Sequence, residues 1–261
     1  MAAAIDRILA ALSLLSTQPE GMSVQALAHA LDMPASAAHR LLNDLVRLDF
    51  ATQPQPQGNY ALTLRLAALG LGYLGAAGIT DIAAPVLDGL ARTSGELVRL
   101  SVVDGDALIW VAAAQGATSG LRYDPAREQG AHAPLAHSAS GRAWAATLPE
   151  DRALRLIAAQ PAEPPPGARP QPAPDLARLQ QMLAQIRAQG HAEAEDSFLE
   201  GMAAIAVPLP GSPCLGCLSI AGPGVRLTVA RRAALLPALH TAARELAGLT
   251  QASAWFRMRR A

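Results

Sequence analysis

Four polar side chains recur at helical spacing in the stretch 34–49. Ser36, Arg40, Asn43 and Arg47 are separated by four, three and four residues, so they share one face of a helix. This face carries hydrogen-bond donors and two cations but no carboxylate. Such a face could donate to base edges in the major groove of DNA. The same pattern also fits the solvated side of an ordinary helical hairpin.

A second chemical motif is the CxxC sequence formed by Cys214 and Cys217. In a cytosolic chain this pair could be a redox-active dithiol or half of a metal site. A structural zinc site needs about four ligands, and the chain has no second cysteine pair. We interpret the pair as structural, with a thiol sensor as the alternative, and expect no metal or other cofactor.

Histidines and serines cluster between residues 132 and 140. His132, His137, Ser138 and Ser140 are close enough in sequence to suggest nucleophilic catalysis. However, the chain has no Gly-x-Ser-x-Gly elbow, and no carboxylate lies nearby in sequence to orient a histidine. The cluster does not predict an enzyme, and His137 fits a pocket wall or a core position better than a base.

Two further groups of charged residues each allow two interpretations. Asp196 and Glu200 flank Phe198 and could bind a metal, although a solvated loop fits them better. Arg122 could pair with an acidic ligand or could equally form a surface ion pair. These residues alone do not distinguish the alternatives.

Two short helices must position the polar face. Ser23 is a suitable N-cap for a helix over Val24–Leu31, and Pro34 can open the next helix. Only two residues separate these helices, which is typical of a helix-turn-helix whose second helix enters the major groove. The residues predicted to contact DNA from these helices are Ser23, Gln25, Ser36, Ala37, His39, Arg40, Asn43 and Arg47.

A β-hairpin follows the second helix directly. Phe50–Thr52 and Asn59–Leu62 read as short strands around a Gln- and Pro-rich loop, with a turn at Gly58-Asn59. A hairpin in this position is a wing, which usually touches phosphates or the minor groove. We therefore add Gln57 and Asn59 to the predicted DNA contacts and favour DNA binding over a plain helical hairpin.

Charge sets a limit on how such a module binds. The whole chain of 261 residues has a formal charge of zero. Residues 1–65 hold four Arg and five acidic residues, which gives 4 − 5 = −1. Because phosphate attraction drives DNA affinity, one copy should bind weakly. We expect modest, salt-dependent affinity and a need for two half-sites, which a homodimer with Arg residues clustered on one face could bind.

The N-terminal segment faintly resembles a signal peptide. Asp6 interrupts its would-be basic region, and no apolar segment reaches the 18–20 or so residues of a membrane span. An amphipathic first helix is the better interpretation, with one apolar face made of Ile5, Ile8, Leu9, Leu12 and Leu15. We predict a cytoplasmic protein with no membrane partner.

The rest of the chain predicts a linker helix followed by a mixed domain. Thr63–Ala77 is an apolar helix suited to packing on a partner chain, and a helix from Thr80 to about Thr93 opens the second domain. The predicted strands are Glu96–Val103, Ala107–Ala113, Gly120–Pro125, His191–Glu195, Met202–Pro208 and Cys214–Ala221. The predicted helices are Ser140–Thr147, Glu150–Ala159, Asp175–Gln189 and Leu227–Ser253.

Two further segments are predicted to be exposed. Glu163–Pro174 is a Pro-rich insertion, and Arg257, Arg259 and Arg260 form a basic tail. The resulting fold class is α+β. The predicted domains are 1–62, a winged helix-turn-helix; 63–79, the linker helix; and 80–261, the second domain.

Four stretches resemble the isocitrate lyase regulator (IclR) family of transcription factors in their order and spacing. They are MSVQALAHALDMPASAAHRLLNDL, GAHAPLAHSASGRAWAA, DSFLEGMAAIAVPL and LSIAGPGVRLT. The resemblance implies a linker helix that mediates dimerisation and a GAF-like effector domain. It also implies homodimers or homotetramers on palindromic operators, and small organic or aromatic acids as effectors. The chain departs from the family pattern in the Pro-rich insertion, the 122–130 segment and the CxxC motif.

The resemblance also implies an effector site around the helix after His137. It puts the amides of Ala139 and Ser140 on an effector carboxylate, and free amides at a helix N-terminus suit an anion. The alternative is that Ser138 only caps the helix and nothing binds. The predicted effector-binding residues are Arg122, Tyr123, His137, Ala139, Ser140, Met202, Ala204 and Ser219. At another polar position of the family this chain has Ala221, which favours a more apolar, aromatic ligand.

Two function classes follow from these residues. The first is a ligand-responsive transcriptional regulator, either a repressor or an activator. The second is a regulator whose trigger is oxidation of Cys214 and Cys217.

Overall fold

The computed structural model describes residues 2–118, 120–125, 128–160 and 175–250, together with Ser253 and Phe256. The chain divides into two compact units, residues 1–76 and 77–261. The predicted Pro-rich insertion at 163–174 and the basic tail lie outside the described residues.

The first unit is a helical domain with a two-stranded wing. Its elements are α1 (Ala2–Ser16), α2 (Val24–Ala30), α3 (Ala35–Arg47), β1 (Ala51–Thr52), β2 (Ala61–Leu62) and most of α4 (Arg65–Ala77). One apolar cluster joins α1, α2, α3 and the wing, and its buried members are Ala11, Leu15, Leu27, Leu42, Leu45, Ala51 and Tyr60. This core holds α2 and α3 together as the predicted helix-turn-helix.

The predicted apolar face of α1 is only partly correct. Leu15 and Leu12 pack into the core, whereas Ile5, Ile8 and Leu9 remain exposed. The reason is that α2, α3 and the wing cover only the C-terminal half of α1, where the residues of the apolar cluster lie. Leu48, which follows the last residue of α3, is also 48% exposed.

The apolar residues of α4 are exposed within the chain. Leu69 and Leu71 on this helix are 59% and 70% exposed, and Leu64 just before it is 83% exposed. No single helix among the described residues is both long and apolar enough to cross a membrane, and α4 passes that test only as a broken pair with the next helix.

The second unit is built on an antiparallel sheet. Its strands are β3 (Leu97–Asp104), β4 (Ala107–Gln115), β5 (Ala192–Glu195), β6 (Met202–Pro208) and β7 (Gly216–Pro223), in the order β4-β3-β7-β6-β5. Its helices are α5 (Thr80–Ser94), α6 (Ala139–Thr147), α7 (Glu150–Ala159), α8 (Leu176–Gln189) and α9 (Val229–Leu249). The five-stranded sheet with helices agrees with the predicted α+β class.

The sheet register decides which side chains face the site. Arg99 on β3 is opposite Ser219 on β7, which is opposite Ala206 on β6, so these three side chains share one face. That face packs against α6, α7 and α8 through a cluster that includes Trp144 and Leu183. Helices α5 and α9 pack against the other face.

The predicted strand at Gly120–Pro125 is wrong. These residues are irregular, and side chains satisfy carbonyls that a strand would have paired. The side-chain amide of Gln115 donates to the Tyr123 carbonyl at 2.8 Å, and Arg226 donates to the Leu121 carbonyl at 2.5 Å. Side-chain bonds of this kind leave no pattern in the local sequence.

A close approach fixes the start of α6. A Cβ on Gly141 would overlap the carbonyl of Pro134 and lie 2.6 Å from the Cα of Leu135. Because both obstacles are backbone, neither can move aside as a flexible side chain would. Only glycine therefore lets the first turn of α6 sit against the preceding segment.

We expect Gly141→Ala to lower the free energy of unfolding by about 1–3 kcal/mol, because it overpacks a backbone contact. Gly89→Ala in α5 is the matched control, since a Cβ there meets only the end of the Arg92 side chain at 3.9 Å. In the control the free energy of unfolding should rise by up to about 1 kcal/mol, because alanine favours a helix more than glycine does. Urea unfolding measures both, and equal midpoints for the two variants would contradict the close approach.

Candidate DNA interface and ligand pocket

Helix α2 and helix α3 meet through a tight turn. The hydroxyl of Ser23 accepts a hydrogen bond from the Ala26 amide at 3.1 Å, so Ser23 caps α2 as predicted. Pro34 occupies the N-cap position of α3, and the Met33 amide donates to the Ala28 carbonyl at 3.0 Å. This turn presents the first residues of α3 at the surface of the domain.

The predicted polar face of α3 is exposed. Ser36, His39, Arg40, Asn43 and Arg47 all lie on the surface, while Ala37 is half-buried. On α2, Gln25 is exposed as well. The helix thus brings most of the predicted DNA contacts onto one surface.

Asn43 is held in place by the wing. Its Oδ1 accepts a hydrogen bond from the buried Tyr60 hydroxyl at 3.2 Å, and its amide nitrogen lies 3.4 Å from the His39 ring. The Asn43 side chain is therefore held at both ends, by the wing through its oxygen and by His39 through its nitrogen.

The two arginines of α3 differ in their surroundings. Arg47 donates to the Asp44 carboxylate at 3.1 Å. Arg40 has no hydrogen-bond or ion-pair partner in the part of the chain that the structure describes. Arg40 can therefore meet a base edge without first breaking an internal contact.

The wing residues also differ from each other. The side-chain amide of Asn59 lies 3.4 and 3.5 Å from the carbonyls of Glu20 and Gly21, so it ties the wing to the turn after α1. Gln57 is exposed at the tip of the wing and has a positive φ of 62°. Of the two predicted wing contacts, Asn59 is therefore engaged in these bonds and Gln57 is not.

A cleft lies between the sheet and the start of α6, and its roughly 340 Å³ of empty space includes the solvent at its open mouth. We call it the cavity. Four of the predicted effector residues line it, namely Tyr123, Ala139, Met202 and Ala204. The other lining residues are Arg99, Ser138, Ala194, Phe198, Ala203 and Ala221. Two aromatic rings and several alanine methyl groups thus form most of its wall.

The other four predicted effector residues do not line this cavity. Arg122 is exposed in the irregular segment, and Ser140 is buried in the first turn of α6. The Ser219 hydroxyl is directed to the Arg99 carbonyl at 3.5 Å. His137 is half-buried, and burial together with the nearby charge of Arg142 lowers its pKa.

The N-terminus of α6 opens onto the cavity. The Ser138 hydroxyl donates to the Pro134 carbonyl at 2.8 Å and accepts from the Gly141 amide at 3.0 Å. This cap serves the third amide of the helix, whereas the first amides of a helix have no acceptor within it. Because Ser138 and Ala139 both line the cavity, these amides lie at its wall.

A buried ion pair in the cavity wall was not predicted. Arg99 on β3 is 5% exposed and donates through Nη1 to Glu128. Burial lowers the pKa of Arg99 and raises the pKa of Glu128, and their mutual attraction opposes both shifts. The sequence signal that could have revealed this pair was Arg99 itself, a single cation inside the apolar run of the predicted strand Glu96–Val103.

The two cysteines lie side by side at the start of β7. Cys217 is fully buried and Cys214 is half-buried. A hydrogen bond from the Cys217 thiol lowers the pKa of Cys214, and burial raises the pKa of Cys217. Among the described residues no group of three or more His, Cys, Asp or Glu side chains could hold a metal ion.

Family models match both units of the chain. The IclR helix-turn-helix domain matches residues 4–55, and the bacterial transcriptional regulator IclR C-terminal domain matches residues 71–247. The chain belongs to the IclR family. It is accordingly a DNA-binding transcriptional regulator and not an enzyme.

Individual relatives cover most of the chain. It is 28% identical to the HTH-type transcriptional regulator BhcR of Paracoccus denitrificans, over 93% of this chain and 85% of that one. It is 30% identical to the DNA-binding transcriptional repressor YiaJ of Escherichia coli, over 76% and 69%. Among solved structures, an IclR homolog complexed with 4-hydroxybenzoate from Microbacterium hydrocarbonoxydans matches with a TM-score of 0.73 and 20% identity, covering 96% and 100%.

We expect Arg40→Ala to weaken operator binding by about 1–3 kcal/mol at one base pair, the usual contribution of an arginine to base discrimination. The fold should be unchanged, since the side chain is exposed. Gel-shift titration on the native operator is the measurement.

The control for this variant is Arg155→Ala, which removes an equally exposed arginine from α7, where it pairs only with Asp151. That change should leave operator affinity unaltered. A folded Arg40→Ala protein with wild-type affinity would remove Arg40 from the interface.

Proposed function

We propose that a small organic acid controls operator binding by this regulator, and that its carboxylate docks at the N-terminus of α6. The observation that carries the proposal is that this helix start opens into a cavity lined by Ser138 and Ala139. A helix N-terminus combines unpaired amides with a partial positive charge, which favours an anion.

The proposed effector is aromatic. The rings of Tyr123 and Phe198 line the cavity together with Ala194, Ala204 and Ala221, whose methyl groups share one face of the sheet, so they can enclose a flat apolar body. A related structure holds 4-hydroxybenzoate, and this supports the same ligand class here. We keep the Ser140 amide as a proposed contact of the carboxylate, and Arg122, His137 and Ser219 as proposed effector residues that do not line the cavity.

The proposed assembly is a homodimer, or a pair of homodimers, on a palindromic operator. Support comes from the exposed leucines of α4 and from the net charge of −1 on residues 1–65, because a single copy attracts phosphates weakly. We propose 1–62 as the DNA-binding domain, 63–79 as the linker and 80–261 as the effector domain. A regulator of bacterial operators acts in the cytoplasm.

A second candidate function is thiol sensing. It is supported by the closeness of the two thiols, since Cys217 is near enough to lower the pKa of Cys214. A small oxidant would accept two electrons as the dithiol loses two protons and closes to a disulfide. Because the thiols lie at the start of β7, this change would act on the sheet that carries the cavity.

We expect Ala139→Pro to weaken effector binding about tenfold or more. Proline fits the first position of a helix but lacks the N–H, and a hydrogen bond to a charged group contributes about 1.5–3 kcal/mol. The effector concentration that alters operator binding in a gel-shift assay is the measurement, with small carboxylates first ranked by thermal shift.

Val229→Pro is the matched control, because Val229 is the first residue of α9 and follows the capping residue Thr228. Both variants should melt close to the wild-type temperature without ligand. If Ala139→Pro responds at the wild-type effector concentration, the carboxylate binds elsewhere.

The thiol function is tested by a double variant. We expect Cys214→Ser/Cys217→Ser to keep its response to the acid and to lose any response of operator affinity to the oxidant diamide. Wild-type protein treated with diamide and then with a reductant provides the comparison. An operator affinity of the wild-type protein that diamide leaves unchanged would reject thiol sensing.

A further inference from the structure

Three buried donors surround one end of the cavity without an acceptor. The Nε of Arg99, the Nε1 of Trp110 and the hydroxyl of Tyr123 have no hydrogen-bond partner among the described residues. Buried donors are normally paired, and leaving one unpaired is unfavourable. Arg99 and Tyr123 line the cavity directly, so the missing acceptor is one that the cavity could contain.

The guanidinium of Arg99 is held rigidly. Its Cζ lies 4.3 Å from the centre of the Trp110 ring and 5.7 Å from the centre of the Tyr123 ring. Its Nη1 is engaged by Glu128, which orients the plane of the group. The Nε side remains without a partner, and this side of a guanidinium matches a carboxylate in a bidentate arrangement.

Glu128 balances the charge of Arg99 in the empty cavity. Its side chain is 12% exposed and approaches from the segment after β4. The Gly130 amide donates to the Trp110 carbonyl and the Trp110 amide to the Ala131 carbonyl, so this segment is fastened to β4. The pair is neutral overall, which keeps an arginine buried when no ligand is present.

We propose that the effector carries a second acidic or acceptor group, and that Arg99 binds this group through its Nε side. The ligand class is a small dicarboxylic acid with an apolar or aromatic body. This inference rests on the proposed function, in which the first carboxylate docks at α6. Arg99 is then the residue that discriminates diacids from monoacids.

The experiment compares acids that share one carbon skeleton. Isothermal titration of the full-length protein uses benzoate against benzene-1,4-dicarboxylate, and butanoate, pentanoate and hexanoate against the dicarboxylates of equal length. We expect at least one diacid to bind tenfold or more tightly than its monoacid, as one additional charged hydrogen bond implies.

Two variants then test whether Arg99 and Glu128 cause the preference for diacids over monoacids. Arg99→Met/Glu128→Gln removes both charges together, so no unpaired charge is left buried. It should lose the tenfold preference while monoacid affinity stays within about twofold. Glu128→Gln alone removes the competing negative charge and should tighten diacid binding.

Arg152→Met/Asp106→Asn is the control. It removes another arginine–carboxylate pair of the same unit, joined at 2.7 Å, and neither residue lines the cavity. This control should keep the diacid preference. The further inference is overturned if diacids and monoacids bind equally to the wild-type protein, or if the Arg99 double variant weakens both classes alike. If no acid binds, the proposed function fails and this inference fails with it.

Discussion

The contact between the first turn of α6 and the segment at Pro134 sets the geometry of the effector unit. The Pro134 carbonyl accepts bonds from the amide and the hydroxyl of Ser138, and Gly141 has no side chain to hold the turn away. The helix is therefore fixed with its N-terminus at the cavity. The sheet opposite supplies the other wall, since its register places Arg99 on the same face as the residues that α6 covers.

The chain has a formal charge of zero, and residues 1–65 have a net charge of −1, so a single copy attracts DNA phosphates weakly. Several of its arginines are in defined ion pairs, such as Arg232 with Glu193 and Glu195 at 2.9 and 2.8 Å. The buried pair of Arg99 and Glu128 continues this pattern but retains unused donors. An acidic ligand can thus be recognised without any net positive charge on the protein.

The predictions that were confirmed rest on local, periodic signals. The helix-turn-helix was readable because Ser23 caps a short amphipathic helix and Pro34 opens the next one. The mixed second domain followed from alternating strand and helix patterns. The cavity was only half predicted, because Arg99 and Glu128 are 29 residues apart and meet only after β3 and β4 have paired. The irregular segment at 120–125 was missed for the same reason, since distant side chains satisfy its carbonyls.

The bond between Tyr60 and Asn43 has an evolutionary consequence. Asn43 lies on the face of α3 that we predict to contact DNA, but its oxygen also satisfies a buried hydroxyl of the wing. A substitution at Asn43 that suited a different base would also leave that hydroxyl unpaired, so it would have to be compensated at Tyr60. Among the described residues, Ser36 and Arg40 have no hydrogen-bond or ion-pair partner of this kind. Divergence of operator preference between duplicated copies of this gene would then begin at Ser36 and Arg40, with Asn43 changing last.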